Sequence, residues 1–221
     1  MQKILFNICV SCLLLTLISC NNNQANNSTV NPNSPSATSV TTNVTESADK
    51  VKFKTEGGAE LFSLKKQADG AKLVDASNQE LVRIKADKAG KFKFKNAQDK
   101  TLGYVFATNS NWKLQNSEGK QDLYILSQQG NSYQLVDGGK KEIYSINADN
   151  NGLAITSPDK KLVYQVRVKE GKISLRNPSG KTVFSTKSNI SPIAFACFGF
   201  DALTREQQAA LAYAVSSTGG K

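Results

Sequence analysis

The side chains able to do acid–base, nucleophilic or metal chemistry are few in this chain of 221 residues, and their placement argues against all three. There is no histidine, which removes the commonest general base and metal ligand. Cys9, Cys12 and Cys20 lie near the amino terminus, while Cys197 stands in the most apolar run of the chain with no imidazole to activate it. A free thiol in that setting behaves as a small apolar side chain. The carboxylates fall mostly in turn-like stretches. Asp149 beside Asn150 and Asn151, and Asp137 beside its glycines, have calcium-ligand chemistry, but these are also the residues that tight turns select. No phosphate loop, nucleophile elbow or dinucleotide fingerprint is present. The sequence therefore predicts no enzyme, no cofactor and no metal.

What remains is charge. Lysine and arginine number 28 against 18 acids, a formal +10, which favours anionic partners. Phe92, Phe94, Trp112 and Tyr133 interleave with Lys91, Lys93, Lys95 and Lys113 in a manner that superficially suits stacking on single-stranded nucleic acid. Alternation along a strand sends rings and ammonium groups to opposite faces, however, so the rings belong to a core and nucleic acid is disfavoured. The remnant is a basic outer ridge, Lys91, Lys93 and Lys95 on one strand with Arg83 and Lys85 on its neighbour. It is the candidate surface for anionic lipid headgroups or glycan. The plainer alternative is that these lysines solvate an outer face and blunt strand edges.

The elements that must position this ridge are set by a twenty-residue beat. Thr55, Asp75, Asn96, Asn116, Asp137, Ser157 and Asn177 are separated by 20, 21, 20, 21, 20 and 20 positions. Two residues before each marker the side chain is apolar: Phe53, Leu73, Phe94, Leu114, Leu135, Ile155 and Leu175. Four before it is apolar again, and about six after it a second aliphatic run begins, as in Leu61-Phe62, Leu123-Tyr124 and Val183-Phe184. Period-two alternation marks strands with one wet and one buried face. The Gly-, Asn- and Pro-rich connections supply turn geometry at both ends of each unit. Seven units of two short strands predict a mostly β fold of about fourteen strands, an antiparallel hairpin meander closing into a barrel. The alternative is a β-solenoid, one coil per unit, which the period alone does not exclude.

Outside the repeats, residues 1–19 read as an export signal, with Lys3 followed by an apolar run too short for a membrane span. It ends in Leu17-Ile18-Ser19-Cys20, which resembles the bacterial lipobox. The resemblance implies a diacylglycerol thioether at Cys20 and attachment to the membrane through amino-terminal acyl chains. An ordinary signal peptide with a chance cysteine is the alternative. Asn21 rather than Asp after the cysteine implies, by the same likeness, the outer membrane facing the periplasm. Residues 20–49, beyond the cysteine, are mostly Asn, Ser, Thr and Pro with almost no large apolar side chain, too polar to bury a core, and predict a disordered tether with a reach on the order of 30 Å. Hairpin repeats are expected over 50–188, a core helix over 189–215 and a frayed tail over 216–221. Ser191-Pro192 is a helix start, and Ile193, Phe195, Cys197, Phe198 and Phe200 lie in a stretch apolar on every side, which requires burial. The polarity from Asp201 to Gln208 interrupts it, and the capping-box form from Thr204 to Gln207 allows a restart there.

A hairpin meander with the phrase Gly58-Ala59-Glu60-Leu61-Phe62-Ser63-Leu64, its turn-strand echoes over 75–84 and 137–146, and a closing apolar helix over 192–200 together resemble the tubby-like and LURP-one-related barrel, a fold shared with phospholipid scramblases. The resemblance implies a closed barrel threaded by a hydrophobic helix. It also implies, since tubby-like domains include phosphoinositide binders, a lipid- or membrane-surface-binding module in the cell envelope. The alternative function is a structural or assembly lipoprotein that holds a partner protein of the envelope.

Overall fold

The computed structural model describes residues 49–220 except Ala89. The expected signal peptide, the expected lipidation at Cys20 and the expected tether through residue 48 fall outside the described residues, as does Lys221. Fourteen strands come in seven pairs: β1 Lys50–Lys54 and β2 Glu60–Gln67, β3 Gly70–Asp75 and β4 Glu80–Ala86, β5 Lys91–Lys95 and β6 Thr101–Thr108, β7 Asn111–Gln115 and β8 Asp122–Gln129, β9 Ser132–Asp137 and β10 Glu142–Asp149, β11 Gly152–Thr156 and β12 Leu162–Lys169, β13 Lys172–Arg176 and β14 Thr182–Thr186. Each strand pairs antiparallel with the next, and β14 returns to pair with β1, so the sheet closes. A solenoid would stack like strands in parallel. The antiparallel pairing overturns that alternative and leaves the barrel.

The periodic marker residues have a structural cause. Each accepts, on its carbonyl, the amide three positions on, as in Asn78 N to Asp75 O at 3.0 Å and Lys140 N to Asp137 O at 2.9 Å. Several use the side chain as well: the Asp137 Oδ1 accepts from Lys141 N at 2.9 Å and the Asn177 Oδ1 from Lys181 N at 2.9 Å. The turn also needs one residue at positive φ, and Gly58, Asn78, Asp99, Gly119, Lys140, Lys160 and Gly180 provide it at the same beat. Immediately after, every second strand carries a bulge that skips one residue: Leu61, Leu81, Leu102, Leu123, Ile143, Val163 and Val183. A bulge adds local twist, and seven of them at one rim coil the sheet toward closure. The aliphatic residue opening each second run is thus the bulge residue.

The lumen is filled by the carboxyl-terminal segment. α1 Pro192–Ala196 starts at Ser191, whose hydroxyl accepts from Ala194 N at 3.4 Å, and runs into a 3₁₀ turn, Cys197–Gly199. The helix does not continue. α2 Arg205–Ser217 begins afresh at Thr204, where Thr204 and Gln207 form a reciprocal capping box. The expected core helix over 189–215 is therefore two helices, and the break lets the polar residues after Phe200 leave the lumen. Asp201 sits exposed at the bulged rim, where it accepts from Tyr164 Oη at 2.9 Å, and Ala202 O accepts from Tyr124 Oη at 2.8 Å. Ala209, Ala210, Ala212 and Ala214 are fully buried, and their small side chains let α2 share the lumen with α1. The expected fray from Ser216 is partly replaced by order, since α2 runs through Ser217 and the Thr218 hydroxyl accepts from Trp112 Nε1 at 2.8 Å.

Candidate functional site: two basic faces of the outer wall

The sequence-predicted core residues all lie in the lumen: Ile193, Phe195, Cys197 and Phe200 are fully buried and Phe198 is 1% exposed. Cys197 donates to Ile193 O at 3.3 Å, and burial pushes its thiol well above the ordinary range, so it supplies no nucleophile. Phe53, from β1, meets Phe62, Phe184, Phe195 and Phe198 with ring centroids 4.5 to 5.8 Å apart, an aromatic cluster beneath the place where the barrel closes. Among the described residues no group of histidine, cysteine or acid side chains could hold a metal ion.

The ridge residues come together as the alternation requires. Arg83 is paired with Lys95 across β4 and β5, and Lys85 with Lys93. Phe92 and Phe94 point to the core and are 5% and 1% exposed. Acids come with them, however. Arg83 lies 2.9 Å from Glu80 and 3.6 Å from Asp99, Lys95 is 2.9 Å from Asp99, Lys85 is 3.2 Å from Asp69, and Lys91 is 3.9 Å from Asp87. Lys93 has no carboxylate partner and lies over the Tyr104 ring at 5.6 Å. Partial burial raises the Glu80 carboxyl, but hydrogen bonds from Lys72 and Arg83 outweigh it and hold Glu80 below the usual carboxylate range. The hydrogen bond and charge of Lys95 do the same for Asp99. The ridge is largely an internally balanced network.

A second basic face lies where β14 meets β1. Two adjoining clefts of about 210 and about 390 Å³ share Lys172 and Lys187 on their borders. Lys52 and Lys54 line the first, and Arg167, Lys169 and Arg176 the second, against only Glu56 and Glu170. Arg167 is engaged by Asp149 at 3.4 Å and Lys169 by Glu170 at 3.8 Å. Lys172, Arg176 and Lys187 have no ion-pair partner among the described residues. Between these cations the cleft floor is small and polar. Arg167, Ser174, Ser185 and Lys54 form one row across four strands. The two serines are 6% and 5% exposed. Ser174 lines one cleft and Ser185 the other, and neither hydroxyl has a hydrogen-bond partner among the described residues.

Sequence reasoning missed this face because its strands are the first and last of the barrel. One signal was available: the seventh unit carries Lys172, Arg176, Lys181 and Lys187, yet its hairpin turn is Asn177-Pro178-Ser179-Gly180, without an acid.

No protein-family profile matches the chain, and no curated protein matches it. A crystal structure of an Arabidopsis thaliana protein is similar at 11% sequence identity and a TM-score of 0.39, covering 67% of this chain and 85% of that one.

Proposed function

We propose that this chain is a lipid-anchored protein of the bacterial envelope whose barrel is a non-catalytic binding module for anionic membrane lipid or glycan. The anchor is Cys20, and the tubby-like, LURP-one-related class is the finer reading of the barrel. One observation carries the binding role: the lumen is packed with α1 and α2, so a ligand must be met on the outer wall, and that wall is where the cations stand. Charge complementarity there gives salt-sensitive attachment, each cation near an anionic bilayer contributing about 1 kcal/mol.

A second reading is a structural or assembly lipoprotein that grips a partner protein. It is favoured by the exposed aliphatic side chains Leu61, Leu162 and Val183, at 38%, 37% and 40%, beside the bulged rim.

The test uses the chain with its first twenty residues removed, which keeps the closed barrel whole and takes away any acyl chain. Flotation with vesicles of phosphatidylcholine and phosphatidylglycerol, but not with phosphatidylcholine alone, is expected, and salt should weaken it. Failure to float, with a stoichiometric polypeptide recovered from detergent-solubilised envelope, would replace the first reading by the second.

A further inference from the structure

We infer that the anion is taken at the closure seam and that its chemical class is a phosphate oxyanion, bound between Lys172, Arg176 and Lys187 over the hydroxyls of Ser174 and Ser185. This deepens the proposed binding role and rests on it.

Two independent observations meet here. The first is electrostatic. Of the cations bordering the two clefts, Arg167 and Lys169 are paired with Asp149 and Glu170, while no described carboxylate pairs with Lys172, Arg176 or Lys187. At the ridge, by comparison, four of the five cations lie within 4 Å of an acid. An anion reaching the ridge has to displace Glu80, Asp69 or Asp99. At Lys172, Arg176 and Lys187 it displaces no described carboxylate.

The second observation is the floor. Each of the two floor hydroxyls is open to solvent rather than sealed in the wall, so a ligand can reach it. Ser174 and Ser185 face each other across β13 and β14, each more than nine-tenths buried, with the hydroxyl at the cleft and no protein acceptor. They can donate to the oxygens of a ligand that enters the cleft. Two adjacent hydroxyls below and ammonium and guanidinium groups at the sides require oxygens pointing in several directions. A tetrahedral phosphate supplies them. A planar carboxylate has two oxygens in one plane and leaves either the floor or a wall unmet.

The neighbouring structure explains why such a site can persist. Among the described strands β1 and β14 are the only sequence-distant pair, and the Lys54 and Ser185 match is reinforced by the Ser188 side chain, which accepts from Lys52 N at 3.3 Å and donates to Lys50 O at 3.2 Å. No hairpin turn crosses this junction, and the acids of the neighbouring turns, Glu56 and Glu170, form no ion pair with Lys172, Arg176 or Lys187 among the described residues.

The experiment uses the same non-acylated chain with two phosphate sources and one control. Inorganic phosphate is titrated by NMR, phosphatidylglycerol vesicles by flotation, and polygalacturonate serves as a carboxylate polyanion. Amide shifts at Ser174, Ser185 and Lys187 on adding phosphate are expected in the unmodified protein. The triple variant Lys172→Gln, Arg176→Gln, Lys187→Gln should bind phosphatidylglycerol vesicles about tenfold or more weakly. Ser174→Ala with Ser185→Ala should weaken binding by about two- to threefold. The ridge variant Arg83→Gln, Lys85→Gln, Lys93→Gln should change it by less than about twofold. Shifts with phosphate alone and weak vesicle binding would identify a free phosphate or phosphorylated solute as the source; strong binding to vesicles would identify the headgroup. Either supports the seam. Shifts centred on β4 and β5, a larger loss in the ridge variant, or equal seam-dependent binding of polygalacturonate would overturn the phosphate seam while leaving an anion-binding barrel. Absence of binding to every polyanion would overturn both.

Discussion

The ridge on β4 and β5 and the seam between β14 and β1 are both rows of lysine and arginine on the outside of one barrel, and they differ in what surrounds them. At the ridge, hairpins deliver acids: Asp69, Asp87 and Asp99 lie in or beside the turns that join β2 to β6, and Glu80 opens β4. At the seam no hairpin turn joins β14 to β1, the turn from β13 to β14 carries no acid, and the neighbouring turn acids Glu56 and Glu170 leave Lys172, Arg176 and Lys187 unpaired among the described residues. The lesson is that density of basic residues does not measure available positive charge. Connectivity does, because turn chemistry that favours Asp also neutralises the strand ends beside it.

The comparison can be broken at its foundation by Phe53→Ala, which should cost about 3–5 kcal/mol in urea unfolding because the ring supports the seam from within. Phe94→Ala beneath the ridge should cost a similar amount, but only the seam variant should lower anion affinity in the surviving folded protein. Replacing Lys172, Arg176 and Lys187 by Glu should cost at least about 3 kcal/mol of affinity for phosphatidylglycerol vesicles, measured by flotation at fixed salt, whereas the same reversal at Arg83, Lys85 and Lys93 should cost less than about 1 kcal/mol. Glu80→Gln makes the ridge resemble the seam by releasing Arg83 and Lys72, and should raise ridge binding by about 0.5 kcal/mol, read as a gain of anion-induced shifts on β4. Acidification gives the smallest effect. Glu80 titrates below its ordinary 4.5 and Asp99 below 3.8, so their pairing contributes stability above those values and loses it as pH falls through the depressed ones. Ridge cations are then released, and ridge and seam should converge in anion binding while the barrel becomes slightly less stable to urea.

Much of the architecture was legible. The markers from Thr55 to Asn177 located all seven hairpins, and the apolar pairs such as Phe92 and Phe94 gave the inward face of each strand, because a turn and a two-residue alternation are local properties. The break in the lumen segment was legible in Thr204 and Gln207 for the same reason. The ridge residues were placed correctly as neighbours, since β4 and β5 belong to consecutive hairpins. Their neutralisation was not, because the approach of Asp99 to both Lys95 and Arg83 depends on how three strands stack side by side. The seam was invisible as a site. Ser185 and Lys54 are 131 positions apart, and the expectation of a closed barrel does not say which residues of its two ends lie side by side.

The sequence by itself determined the strands, their buried faces, the turns and the demand that residues 193–200 be buried, all of which follow from propensity and periodicity acting over a few residues. Only the tertiary structure decided that the meander closes as a barrel rather than coiling as a solenoid, that the lumen holds two helices, and that Lys172, Arg176 and Lys187 border the clefts of Ser174 and Ser185 with no ion-pair partner among the described residues. Those outcomes depend on which distant strand edges satisfy each other's hydrogen bonds, and that is settled by geometry around the whole barrel rather than by any stretch of chain.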